Sequence, residues 1–180
     1  GRYTIITMKS GFHGRTLTTL AATGQEAFHK DFLPLTEGFV YAEENNLDDV
    51  KRLADENSCT AIMLEIVQGE GGVKNLDRDF IEGVAKFAAQ RGLLLIIDEV
   101  QTGNGRSGKL YSYMHYDIQP DIVTTAKGIA GGLPMGVTML GEKVENVYDP
   151  GSHGSTFGGN PVCCAGAISI INRIDDALLT

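Results

Sequence analysis

Tryptophan is absent from the 180 residues, aromatic side chains make up only 7%, and there are three cysteines. Cys59, Cys163 and Cys164 are odd in number and form no C-x-x-C pair, which argues against a disulfide framework or a thiolate zinc site and leaves them as small hydrophobes. The four histidines, His13, His29, His115 and His153, are far apart and show no H-x-x-x-H spacing, so no metal cluster is expected. A G-x-S-x-G nucleophile elbow is also missing. Positive charge is scarce: 15 Lys plus Arg face 23 Asp plus Glu, for a net charge of -8 and a pI near 4.9. A nucleic-acid-binding surface needs the opposite balance to displace counterions from phosphates. The longest uninterrupted apolar run, Leu93 to Ile97, is far short of the roughly 20 residues of a membrane span. No basic segment followed by an apolar one opens the sequence, and the expected location is the cytoplasm.

What remains is the composition of a globular α/β domain, 42% hydrophobic and 21% charged with a mean hydropathy of -0.06. Hydrophobic patterning predicts strands at Tyr3 to Met8, from Val40, at Thr60 to Val67, Leu93 to Val100, Asp121 to Ala126 and Val137 to Leu140. Helices are expected after an Asn46 N-cap, between Asp77 and Gly92 on an apolar stripe of Phe80, Ile81, Val84 and Phe87, and from Asn160-Pro161 to Ile174. Strands alternating with helices of this length imply right-handed crossovers and a mainly parallel sheet, a three-layer α/β sandwich that binds ligand along its carboxyl edge. Without repeats or linkers, residues 1 to 180 read as one domain. Both ends look cut, since a strand starts almost at Gly1 and the chain stops soon after a helix.

The stretch from Leu93 to Lys109 is the richest in chemistry and has two readings. Gly103 to Lys109 fits G-x-x-x-x-G-K, but Leu110 stands where a phosphate loop needs a magnesium-ligating Ser or Thr, and one strand end cannot supply both Walker elements. Alternatively, Asp98 ends one buried strand and Lys127 follows the next. Parallel strands put both on one edge, where an amine and a carboxylate could serve a pyridoxal phosphate site. On pattern alone, a loop-capping Asp and a solvated Lys explain these two residues as well.

The wider sequence changes the balance. Gly11-Phe12-His13-Gly14-Arg15-Thr16, Glu65-Ile66-Val67-Gln68-Gly69-Glu70-Gly71-Gly72, Ile97-Asp98-Glu99-Val100-Gln101-Thr102-Gly103, Thr125-Ala126-Lys127-Gly128 and His153-Gly154-Ser155-Thr156-Phe157-Gly158-Gly159-Asn160-Pro161 stand in the order and at about the spacing of one family. Over nearly the whole chain they resemble the class III pyridoxal-phosphate aminotransferases, in particular the acetylornithine and ornithine branch. The resemblance implies the large domain of the fold type I pyridoxal-phosphate transferases. It also implies transfer of the δ-amino group of N-acetylornithine to 2-oxoglutarate in arginine biosynthesis, with ornithine, γ-aminobutyrate or another ω-amine as alternative donors.

By the same resemblance Lys127 is the Schiff-base lysine and proton shuttle, Asp98 holds the pyridine nitrogen, and Gln101 reaches the ring's phenolic oxygen. Phe12 and Val100 would flank the ring, and Glu99 is counted with the cofactor-binding set. Arg15 would grip a substrate carboxylate, and Glu70 would be an acidic switch that pairs with an arginine in one half-reaction, supported by Glu65. Ser155 and Thr156 would reach across a homodimer interface, Thr156 to the cofactor phosphate and Ser155 toward substrate. Ile66 departs from the family's usual proline. The upstream phosphate-cradling loop and the C-terminal small domain with the switch arginine lie outside these residues, so the chain resembles the central part of the cofactor-binding domain, and an inactive isolated piece is the rival expectation.

Overall fold

A computed structural model describes all 180 residues. Six strands form one sheet in the order Phe39–Ala42, Thr4–Met8, Cys59–Leu64, Leu94–Asp98, Ile122–Thr125, Val137–Leu140. They are β1 (Thr4–Met8), β2 (Phe39–Ala42), β3 (Cys59–Leu64), β6 (Leu94–Asp98), β7 (Ile122–Thr125) and β8 (Val137–Leu140), while β4 (Val67–Gln68) and β5 (Lys74–Asn75) make a separate small hairpin. The first five strands of the sheet pair in parallel; β8 alone runs antiparallel, against β7.

Side-chain alternation along the strands decides where the core lies. Ile6, Met8, Ile62, Leu64, Leu95 and Ile97 point to one face and join α2 (Leu47–Glu56) and α3 (Arg78–Arg91) in a cluster of 19 buried residues. Each helix offers an apolar stripe, Val50, Leu53 and Ala54 from α2 and Phe80, Ile81, Val84 and Phe87 from α3. Burying each large side chain contributes about 1.5 to 3 kcal/mol. The opposite face takes Thr7 and Tyr41, and there α1 (Leu17–Ala22) is tied down near the β2 edge by a 2.7 Å bond from the Tyr41 hydroxyl to the Ala21 carbonyl. Beyond the sheet, α4 (Pro161–Ile171) packs Ala167 against Ile129 and Ala130, and α5 (Asp176–Leu179) closes the chain.

The expected helix signals act where the sequence puts them. Asn46 Oδ1 accepts from the Asp49 amide at 3.0 Å, and Asn160 Oδ1 accepts from Val162 and Cys163 at the start of α4. Gly92 ends α3 at φ 61°, ψ 38°, a left-handed conformation that a side chain would strain. Asp77 occupies the N-cap position of α3 without a side-chain cap bond.

Two expectations are corrected. The single strand from Thr60 to Val67 is two: β3 stops at Leu64, and Val67-Gln68 turns away to pair with Lys74-Asn75. The last long helix ends at Ile171, short of Ile174.

Candidate active site

Because β1, β3, β6 and β7 are neighbours running the same way, the loops that leave their carboxyl ends converge. They are the segments beginning at Lys9, Glu65, Glu99 and Ala126, and they enclose a cleft of about 550 Å³, within the usual range for small-molecule sites. Phe12, Glu70, Asp98, Val100, Gln101 and Lys127 all line it, together with His13, Glu65 and Arg106.

Lys127 follows the end of β7 with φ at 48°, an uncommon left-handed conformation for a residue with a side chain. The loop after β6 braces that turn: the Asn104 amide donates to the Thr125 hydroxyl at 2.8 Å and to the Ala126 carbonyl at 3.1 Å. Lys127 Nζ donates to Gln101 Oε1. Gln101 can lie there because Gly69 has no side chain; a Cβ at that position would sit 2.6 Å from Gln101 Cγ.

Asp98 is only 5% exposed, at the last position of β6. Its Oδ1 accepts from the Val100 amide at 3.0 Å, and its Oδ2 lies 2.8 Å from His13 Nδ1. Neighbouring Glu65 follows β3 and is equally buried. It accepts from the Phe12 amide at 2.8 Å and the Gly69 amide at 3.3 Å, bracketing two cleft loops. Burial pushes its carboxyl above the ordinary range, an effect that the Phe12 amide and His13 oppose and the Asp98 charge reinforces. Glu70, at the rim, accepts through Oε2 from the Gln25 side chain at 2.7 Å, and Gln25 also reaches the Ser10 and Gly11 carbonyls.

Not every expected residue comes to the cleft. Glu99 is fully buried and outside the lining; its carboxylate accepts from the Thr102 and Ser112 hydroxyls and the Tyr113 amide at 2.5, 2.7 and 2.9 Å. Adjacent residues leaving a strand point opposite ways, so with Asp98 facing the cleft Glu99 faces the interior, where it knots its own loop and has no access to a cofactor. Arg15 stacks over the Phe28 ring at 4.2 Å and the Phe12 ring at 5.5 Å and does not line the cleft. Ser155 and Thr156 are exposed and also outside it. Conversely, sequence reasoning gave no role to His13 or Gln25, whose partners Asp98 and Glu70 are 85 and 45 positions away; only the placement of His13 beside Phe12 in a cleft-forming loop could have drawn attention to it.

An arrangement of one lysine amine, one buried carboxylate and two apolar side chains can hold an aromatic cofactor with an aldehyde at one end and a basic ring nitrogen at the other. Comparison with known proteins agrees. The family model for class-III aminotransferases matches residues 1–180. The chain is 49% identical over 179 residues to an acetylornithine aminotransferase of Haemophilus ducreyi, covering 99% of this chain and 46% of that protein. It is 44% identical over 177 residues to an acetylornithine aminotransferase of Aquifex aeolicus, covering 98% and 47%. An ornithine aminotransferase structure from Toxoplasma gondii superposes with a TM-score of 0.89 at 31% identity, covering 95% of this chain and 41% of that one. The chain thus spans about half the length of the curated relatives it matches.

Proposed function

The chain belongs to the class-III aminotransferase family, and on that premise we propose that the protein containing it transfers the δ-amino group of N-acetylornithine to 2-oxoglutarate, with pyridoxal phosphate as cofactor, in arginine biosynthesis. The observation that carries this reading is the meeting of Lys127 and Asp98 in one cleft that Phe12 and Val100 also line. The choice of amino donor rests on relatives at 44% and 49% identity that are named acetylornithine aminotransferases.

When bound, the cofactor supplies an electron sink for the substrate carbon that loses its proton. The protein's own part is positional and acid-base. Lys127 Nζ would hold the cofactor and carry the proton, and its strained backbone and Gln101 partner fix where that amine sits. Asp98, held at both oxygens, has lone pairs left that would accept from the ring nitrogen and hold that nitrogen's proton in place. Phe12 and Val100 exclude water from the ring faces. Glu70 alternates between its Gln25 partner and an arginine supplied from outside these residues.

The reading extends to a cytoplasmic homodimer. The Ser155 and Thr156 hydroxyls make no hydrogen bond within their own chain and stand exposed, as groups that serve a second subunit's site would. Three free cysteines and no disulfide suit a reducing compartment.

Lys127→Ala in the full-length protein tests the assignment. Turnover of N-acetylornithine with 2-oxoglutarate should fall by at least about a thousandfold, and the visible absorbance of the lysine-bound cofactor should vanish. A variant keeping both would overturn the role of Lys127. Ornithine and γ-aminobutyrate run in parallel should each give a lower kcat/KM than N-acetylornithine; the reverse order would reassign the donor.

A further inference from the structure

Asp98 is the cleft carboxylate assigned to the cofactor, and the structure surrounds it with more than a cofactor contact requires. The His13 side chain beside it is completely buried, and Asp98 is 6% exposed at the side chain. The backbone of His13 is itself pinned, its amide donating to the Thr23 hydroxyl at 3.0 Å, and that hydroxyl bonds on to the Thr19 carbonyl at 3.1 Å in α1. The ring therefore has little freedom, and its Nδ1 is aimed at Asp98 Oδ2 at 2.8 Å.

The other ring nitrogen is the informative one. His13 Nε2 is buried and has no hydrogen-bond partner. It faces Gly11, where a Cβ would stand 3.4 Å away. An ionised carboxylate can only accept, so the Nδ1 contact requires the proton on Nδ1, while Nε2 is left without any partner. One ring nitrogen has been left without a partner so that the other can donate to Asp98. Burying an unpaired polar atom is unfavourable, and a purely space-filling residue at this position would avoid it.

Resting on the aminotransferase reading above, we propose that His13 is a positioning residue for cofactor binding: its Nδ1–H fixes the rotamer of Asp98 so that the carboxylate, anchored at Oδ1 by the Val100 amide and at Oδ2 by His13, presents its two free lone pairs to the ring nitrogen of pyridoxal phosphate. Without His13 the Oδ2 side is released, and Asp98 can turn about its side-chain bonds while still bonded to Val100.

Three substitutions separate this role from packing. Asn places its amide nitrogen close to where Nδ1 stands, Gln places its amide nitrogen nearer Nε2, and Ala removes both. Titration of pyridoxal phosphate into the cofactor-free full-length protein should give a dissociation constant about tenfold to a hundredfold weaker for His13→Ala and His13→Gln, the range expected for losing one hydrogen bond to a charged group. His13→Asn should stay within about threefold of the unmodified protein, while the melting temperatures of the cofactor-free Asn and Gln variants should match each other. In cofactor-free protein labelled with 15N-histidine, the Nδ1–H tautomer of His13 should be visible and should be lost on Asp98→Asn. Asparagine binding the cofactor as poorly as alanine, or all three variants binding like the unmodified protein, would refute the role of His13 alone. Failure of the unmodified protein to bind pyridoxal phosphate would instead sink the aminotransferase reading and this assignment with it.

Discussion

Gly69→Ala should disable the cleft while barely touching the fold. The backbone of Gly69 is not in the left-handed region, so alanine can adopt it, and its amide bond to Glu65 can persist. The trouble is a single contact: the new Cβ would lie 2.6 Å from Gln101 Cγ, nearly 1 Å inside the ordinary carbon–carbon separation of about 3.5 Å. Something must move, and Gln101 is an exposed side chain free to swing, whereas the Gly69 loop is tied to Glu65 and, through its carbonyl, to Gly72 and Val73. The stability loss should therefore sit at the low end of the overpacking range, about 1 kcal/mol. The functional loss should be larger in proportion, because the displaced side chain abandons Lys127 Nζ. In the role the resemblance gives Gln101, the displaced side chain would also leave the cofactor's phenolic oxygen, and one hydrogen bond to a charged group is worth about 1.5 kcal/mol or more, or roughly tenfold in cofactor affinity.

A double-mutant cycle with Gln101→Ala isolates this mechanism. Truncation at Cβ removes the atom at 2.6 Å and leaves the nearest Gln101 atom at 3.4 Å, an ordinary contact. In that background Gly69→Ala should change neither denaturation free energy nor cofactor affinity by more than about 0.5 kcal/mol, giving a coupling of about 1 kcal/mol between neighbouring sites. Chemical denaturation and cofactor titration of the four proteins measure it. Equal losses from Gly69→Ala in both backgrounds would show that the glycine is needed for something other than room for Gln101, and the account of how Lys127 is positioned would fall.

Two further substitutions test the buried carboxylates. Glu99→Ala strands the Thr102 and Ser112 hydroxyls and the Tyr113 amide without an acceptor, which should lower the denaturation free energy by about 3 kcal/mol or more, whereas Glu99→Gln keeps one acceptor oxygen and should lose less than half of that. For Glu65 the sign follows from linkage. Its carboxyl is raised by burial above 4.5, so between the unfolded and folded values the native state holds more protons, and its stability falls as pH rises through that window. Compared with Glu65→Gln, which cannot titrate, the unmodified protein should lose relative stability as pH climbs above 4.5 and level off beyond the folded value; a flat difference between the two denaturation curves would contradict it.

Local chemistry and the parallel run of the central strands were readable from the chain itself. Asn46 and Gly92 cap helices because of what their side chains, or the lack of one, permit, and such signals need no tertiary knowledge. Asp98 and Lys127 share an edge because β6 and β7 are parallel neighbours, which their apolar runs imply. The break after Leu64 was not readable, because Glu65-Ile66-Val67 continues an apolar pattern while Ile66 is buried off the sheet, its carbonyl accepting from Leu76. The antiparallel β8 was equally hidden, since nothing in the short run Val137-Thr138-Met139-Leu140 marks it off from the parallel strands. Glu99 was counted with the cofactor-binding set because it stands in the same motif as Asp98, and only alternation along the strand separates the two. Pairings such as His13 with Asp98 span 85 positions and exist only once the loops meet.

The same geometry explains how an acidic cleft could still take an anionic substrate. Asp98, Glu65 and Glu70 all line it, so a substrate carboxylate needs a cation whose hydrogen bonds are not already spent. Lys127 is engaged with Gln101. Arg15, by contrast, makes no hydrogen bond or ion pair; its guanidinium lies over Phe28 and near Phe12, and Phe12 is itself a wall of the cleft. Stacking on an aromatic face holds the guanidinium plane while leaving its in-plane N–H donors free, and a plane already held loses less entropy when it binds. Phe12 meets Phe28 edge to face at 5.9 Å, so the two rings form a rigid shelf beneath the arginine. Arg106 lines the cleft and is likewise free of side-chain hydrogen bonds and ion pairs, but it has no aromatic shelf to hold its plane; Arg15, oriented and unspent beside the cleft, fits the proposed carboxylate anchor better.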